Sequence, residues 1–143
     1  MTRCWSNVHA AMVAIAVSAT IVACTQPKTV EHNGELIPLT DSLMKNGVAD
    51  TLRLGRLHSG EMAVKTITLR NDTDKPFVIL RHETTCHCTS MQYDKRPIKP
   101  GEEIDIECTF DSRGEYGWQM KLVNFHISGS EHPFRLFVEA DIE

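Results

Sequence analysis

From about residue 51 to the end, the chain alternates between apolar and polar positions. Thr51 to Leu57 sets Leu52, Leu54 and Leu57 on or near one face, and Glu61 to Arg70 does the same with Ala63, Ile67 and Leu69. Phe77 to Glu83 opens on the continuous run Phe77-Val78-Ile79-Leu80, which predicts a strand buried on both faces. Ile104, Ile106, Cys108 and Phe110 then alternate without error against Asp105, Glu107 and Thr109. A long strand follows from Trp118 to Ser128, and Phe134, Leu136, Val138, Ala140 and Ile142 repeat at period two. Turn formers stand between these runs: His58-Ser59-Gly60, Asn71-Asp72-Thr73-Asp74 before Pro76, and Pro100-Gly101. No window shows helical spacing backed by caps. The prediction is an all-β, immunoglobulin-like β-sandwich of about seven strands over residues 51–143.

The N-terminal third reads differently. Ala10 to Ala23 is an apolar run broken only by Ser18 and Thr20, with Arg3 ahead of it. A bilayer span needs about 20 apolar residues, so this run has the length of a signal-peptide core. It ends on Ile21-Val22-Ala23-Cys24, which resembles the lipobox of bacterial lipoproteins. That resemblance implies cleavage after residue 23 and acylation of Cys24, so residues 1–23 are expected to be a lipoprotein signal peptide. Residues 24–50 are expected to be the lipidated N-terminus and a flexible linker. Within it, Leu36 to Leu39 is a segment able to pack on the domain, and Asp41 to Lys45 a single helical turn.

Composition narrows the class. The 143 residues carry 15 Lys and Arg against 19 Asp and Glu, a net charge of −4, and removal of residues 1–23 takes only Arg3 from the balance. An acidic chain of this length is no nucleic-acid binder by charge and is too short for a Rossmann or barrel enzyme. It contains no nucleophile–base pattern, no HExxH and no glycine-rich phosphate loop. Asp41-Ser42-Leu43 and Asp50-Thr51-Leu52 resemble the O-glycosylation signal of Bacteroidota secreted proteins, which makes Ser42 and Thr51 candidate modification sites. Asn71-Asp72-Thr73 reads as turn chemistry rather than a used sequon.

The cysteines carry the sharpest chemical signal. Of the five, Cys4 leaves with the signal peptide and Cys24 takes lipid, so Cys86, Cys88 and Cys108 remain. An odd count outside the cytoplasm leaves at least one thiol unpaired or paired between chains. Cys108 sits on the inward face between Ile106 and Phe110, as a small buried hydrophobe would. Cys86 and Cys88 are two apart, about 6.5–7 Å between Cα atoms on a regular strand. A disulfide prefers about 4.4–6.8 Å, so the pair closes only where the backbone bends. Pairing of Cys108 with either one is equally open.

Leu54-Gly55, Gly60-Glu61, Asn71, Pro76 to Ile79, Thr85-Cys86-His87-Cys88-Thr89, Ile98-Lys99-Pro100-Gly101-Glu102 and Thr109 to Gly114 occur in that order. Together they resemble the immunoglobulin-like "domain of unknown function" with a Cys-x-Cys motif found in lipoproteins of Bacteroidota. The resemblance covers residues 50–142 and implies the fold and an envelope location, with no activity attached. His87 stands where such proteins usually carry glycine between the cysteines, and Cys108 where an aliphatic residue is expected.

The expected function is therefore a lipid-anchored interaction module, not an enzyme. It is expected in the cell envelope, on the outer membrane facing the periplasm or the cell surface, with a protein or glycan partner, no cofactor, and Cys86 and Cys88 bracing a loop. Two alternatives follow from the same residues. Cys86, Cys88, His82 and His87, with Met91 nearby, suit a copper or zinc site, because His82, Cys86 and Cys88 share parity on a regular strand. Alternatively, Cys86 and Cys88 exchange disulfides with client proteins, their reactivity raised by His82, His87 or Arg81. Trp118 is expected to pack in the core, and His58, His126 and His132 to be ordinary polar positions.

Overall fold

The computed structural model describes residues 35–143. Residues 1–23, read as the signal peptide, and Cys24 lie outside the described residues. The elements are β1 (Glu35–Leu39), α1 (Asp41–Asn46), β2 (Val48–Leu57), β3 (Met62–Asn71), β4 (Ile79–Thr84), β5 (Thr89–Gln92), β6 (Glu103–Asp111), β7 (Gly117–Ile127) and β8 (Phe134–Ile142). They form two four-stranded mixed sheets, ordered β1-β3-β6-β5 and β2-β8-β7-β4. Among the described residues no helix is long and apolar enough to cross a membrane.

Alternation explains the layering. The inward positions of β3 and β6 (Ile67, Leu69, Ile104, Ile106) meet those of β7 and β8 (Val123, Phe125, Leu136, Val138) in one buried core. A smaller cluster of Leu57, Phe110, Ala140 and Ile142 closes one end of the sandwich, and Cys88 packs against it.

Two expectations need correcting. The folded unit starts well before residue 51: β1 pairs in parallel with β3, and Val48 to Asp50 pair with Phe134 to Leu136. Residues 35–50 are thus part of the sandwich rather than linker, since Ile37, Leu39 and Met44 join the core. The run Phe77 to Leu80 is not buried on both faces; Phe77 and Ile79 point inward, while Leu80 is 57% exposed. Pairing with β7 covers this strand's edge, and among the described residues no third layer lies over its outer face. β5 adds a strand that alternation does not mark, because four residues are too few for period two to register.

Of the proposed modification sites, Ser42 is exposed in α1, where its hydroxyl accepts from the Asn46 side chain. Thr51 is half-buried in β2, opposite Phe137. Asn71 is fully buried, with both its side-chain groups hydrogen-bonded inside the turn that follows β3.

Candidate functional site

β4 lies in one sheet and β5 in the other, so the chain crosses between layers at residues 85–88. Thr85 still bonds β7, its N–H donating to the Leu122 carbonyl at 3.1 Å, and beyond it the backbone bends away. The bend shortens the Cys86–Cys88 Cα separation to 5.3 Å, and the two are joined by a disulfide. Strand parity ends here, so the extended-chain spacing no longer applies. A loop this short contributes only about 1.5 kcal/mol of chain entropy to stability. Its consequence is local: it holds the shape of the crossing. The Cys88 carbonyl accepts from the Asp111 N–H at 2.8 Å, docking the crossing onto the end of β6.

The same bend breaks the ligand set expected from parity. His82 points into the sandwich, where Nδ1 meets the Tyr93 hydroxyl at 3.0 Å and the ring packs edge-on to Tyr93 and tilted against Phe125. His87 is exposed at the tip of the crossing, and Met91 is buried in the core. Cys108 is a free, fully buried thiol whose pKa burial pushes up to about 12, so it is chemically quiet. Arg81, a proposed activating cation, pairs instead with Glu83 at 3.1 Å on the surface.

What the fold brings to the cysteines is a carboxylate from 27 residues further on. Ser112 to Glu115 form a tight turn closed by the Glu115 N–H on the Ser112 carbonyl at 3.1 Å, with Gly114 at φ 79°, a conformation other residues rarely adopt. This swings Glu115 back over the crossing. A carboxylate oxygen of Glu115 and the two sulfurs lie within 4.8 Å of one another, all three residues half-buried. Lys121, inward-facing on β7, bonds Glu115 Oε2 and Gln119 Oε1, each at 3.0 Å. Both partners of this ion pair are largely covered, at 16% and 23% side-chain exposure. Cys86 Sγ accepts the Cys88 N–H at 3.0 Å, and the Thr89 hydroxyl lies 3.8 and 3.7 Å from the two sulfurs.

Beside this cluster the sandwich leaves an edge open. β7 pairs with β8 along Gly117 to Phe125 but with β4 only from Val123 to Ile127. Among the described residues, no strand covers the other edge of residues 117–121. Leu122 turns its N–H and carbonyl toward Thr85, so alternation turns those of Trp118 and Met120 the same way, toward the open edge. These two residues are 60% and 51% exposed, and Tyr116 in the preceding turn is 75% exposed. Trp118 is therefore not core, contrary to expectation. Counting parity back from the buried Phe125 places it on the outer face, a signal the sequence does carry.

One pH dependence follows from the site. Desolvation, with a smaller contribution from the Lys95 charge, holds the His82 imidazole below its ordinary range. Below the unfolded value of about 6.5 the unfolded chain therefore binds a proton more readily than the folded one. Stability should be level above that pH and should fall as pH drops from there through the lowered folded value. Thermal melts between pH 7 and pH 5 check this, and His82→Gln should flatten the slope across that interval.

Comparison with known proteins bears on the fold. A protein of unknown function from Porphyromonas gingivalis W83 is 20% identical, with a TM-score of 0.57 over 64% of this chain and 43% of its own. The VesB protease of Vibrio cholerae is 15% identical, with a TM-score of 0.52 over 64% of this chain and 30% of its own. The secreted serine protease VesC from the same organism is 11% identical, with a TM-score of 0.51 over 63% of this chain and 21% of its own. The chain thus spans less than half the length of each, and at these identities the likeness is one of fold. No curated protein matches the chain. The family described as "Protein of unknown function (DUF1573)" matches residues 47–142, which takes in the sandwich from β2 through β8, the Cys86–Cys88 crossing and Glu115, and the chain belongs to that family.

Proposed function

We propose that this chain is a lipid-anchored envelope protein whose immunoglobulin-like sandwich acts by binding a partner rather than by catalysis. The observation that carries the reading is the exposed row Tyr116, Trp118 and Met120 along an unpaired strand edge. Trp and Tyr supply large contact area at low conformational cost, and clustered exposure of such residues marks interaction surfaces. An open edge offers backbone donors and acceptors to an extended chain, so the partner class is a protein segment that adds a strand to β7. The Cys86–Cys88 disulfide braces the loop that ends this edge. The anchor rests on the Ile21-Val22-Ala23-Cys24 pattern, and acylation there tethers the sandwich at the outer membrane, facing the periplasm or the cell surface.

The test is photo-crosslinking in whole cells. A photoreactive residue at position 118 or 120 should give an adduct of one defined mass, and one at Arg135, exposed on β8, should not. A glycan adduct would keep the binding role and replace the protein partner. Absence of any adduct at 118 and 120, or the same adducts at 135, would remove the reading. In the same cells Cys24→Ser should move the chain from the membrane fraction to the soluble envelope fraction.

A further inference from the structure

The cluster around the crossing contains more than a brace requires. A disulfide needs two sulfurs; here a third donor is held beside them. Glu115 is half-buried and sequence-distant, and Lys121 fixes its carboxylate through Oε2, with Gln119 in turn holding Lys121. We propose that Cys86, Cys88 and Glu115 form a zinc site when the disulfide is reduced. This goes beyond the binding role proposed above and does not rest on it.

The chemistry of the donors supports zinc. Two thiolates with one carboxylate suit a borderline-soft divalent ion and lack the all-oxygen set of magnesium or calcium. The independent observation is the carboxylate: a Glu115 oxygen lies within 4.8 Å of both sulfurs, so that once the disulfide opens, two thiolates and a carboxylate face one another. The groups around them are those a thiolate site needs. The Cys88 N–H donates to Cys86 Sγ at 3.0 Å, and the Thr89 hydroxyl lies within 4 Å of both sulfurs. Lys121 offsets part of the negative charge and orients the carboxylate, the task of an outer partner in metal sites. The histidines proposed from sequence lie outside the set: half-buried His82 meets the Tyr93 hydroxyl and packs on Phe125, and His87 is exposed at the tip of the crossing. Three protein ligands leave a fourth position for water or for a donor from a partner.

The redox step balances with a dithiol as co-reactant. Thiol–disulfide exchange with that dithiol breaks the Cys86–Cys88 bond, delivers two electrons and two protons, and leaves the reductant as a disulfide. Zinc then forms two bonds to sulfur and one to oxygen, and both thiol protons pass to solvent. Reduction by the dithiol thus converts a covalent closure of the crossing into a metal closure held by the same two cysteines.

The experiment uses the full chain in detergent, reduced with a phosphine, and titrated with Co²⁺ and then Zn²⁺ against a chromophoric chelator. The reduced chain should take up one ion, with a thiolate-to-cobalt absorption band that zinc abolishes. The oxidised chain should take up none. Cys86→Ser should lose the band, and Glu115→Gln, which preserves side-chain size, should weaken binding at least tenfold. Cys108→Ala should change nothing, because that thiol is buried in the core. Equal uptake by the oxidised chain, unchanged affinity in Glu115→Gln, loss of uptake in Cys108→Ala, or no uptake by the reduced chain would each overturn the proposal. Circular dichroism of the Glu115→Gln chain, expected to match the parent, separates a lost ligand from a lost fold.

Discussion

Phe125→Ala should destabilise the sandwich by about 3–5 kcal/mol, the cost of emptying a large aromatic site from a packed core. The ring is fully buried and stacks on Phe134 at 5.7 Å between centroids, and it meets Tyr93 edge-on at 5.9 Å and His82 at 6.0 Å. Its removal therefore strips contacts from β4, β8 and the segment after β5, and leaves His82 without one of its packing partners. Phe125→Leu keeps most of the volume and should cost only about 1–1.5 kcal/mol. Urea unfolding monitored by circular dichroism measures both, and since domains of this kind hold only about 5–15 kcal/mol, the alanine variant should melt far earlier.

Asn71→Ala should cost about 3 kcal/mol, although it removes no apolar surface of consequence. Asn71 Nδ2 donates to the Lys75 and Ile98 carbonyls at 2.9 and 2.8 Å, while Oδ1 accepts from the Thr73 N–H at 3.0 Å and the Thr73 hydroxyl at 2.7 Å. One side chain thus ties the turn after β3 to the bridge between Phe77 and Ile98. Truncation leaves buried partners unsatisfied, and that penalty exceeds the modest net worth of the bonds themselves. Asn71→Asp is the sharper variant, because it keeps the acceptors for Thr73 but turns a carboxylate oxygen toward two carbonyls. It should destabilise at least as much as alanine at neutral pH, and a loss below 1 kcal/mol for both would show that the turn does not depend on this side chain.

How far the sequence foretold these features depends on distance along the chain. Strands β3, β6 and β8 are legible because each has a long enough inward row to show period two. β1 is legible as a segment that packs on the domain but not as a strand, because it is five residues long and carries Pro38, which suits a sheet edge and disguises a strand. The exposure of Trp118 was legible from parity and lost to the general preference of tryptophan for interiors. The Cys86–Cys88 pair was legible as neighbours, and the need for a bend followed from strand geometry. Glu115 was not, because no periodicity links a β6–β7 turn to a β4–β5 crossing; only the sheet topology does. The histidines do not join the cysteines for the complementary reason: strand parity does not carry through the bend that the disulfide requires.

Three sulfurs and one terminus define the proposed state of the protein, and intact mass of the native, membrane-extracted chain measures all of them. Alkylation of the folded chain should modify no thiol, because Cys86 and Cys88 are paired and Cys108 is buried. Denaturation should expose one alkylatable thiol, and denaturation with reduction should expose three, on a chain that begins at Cys24 and carries acyl mass. Three thiols alkylated without reductant, on a chain lacking acyl mass, would contradict both the brace and the anchor.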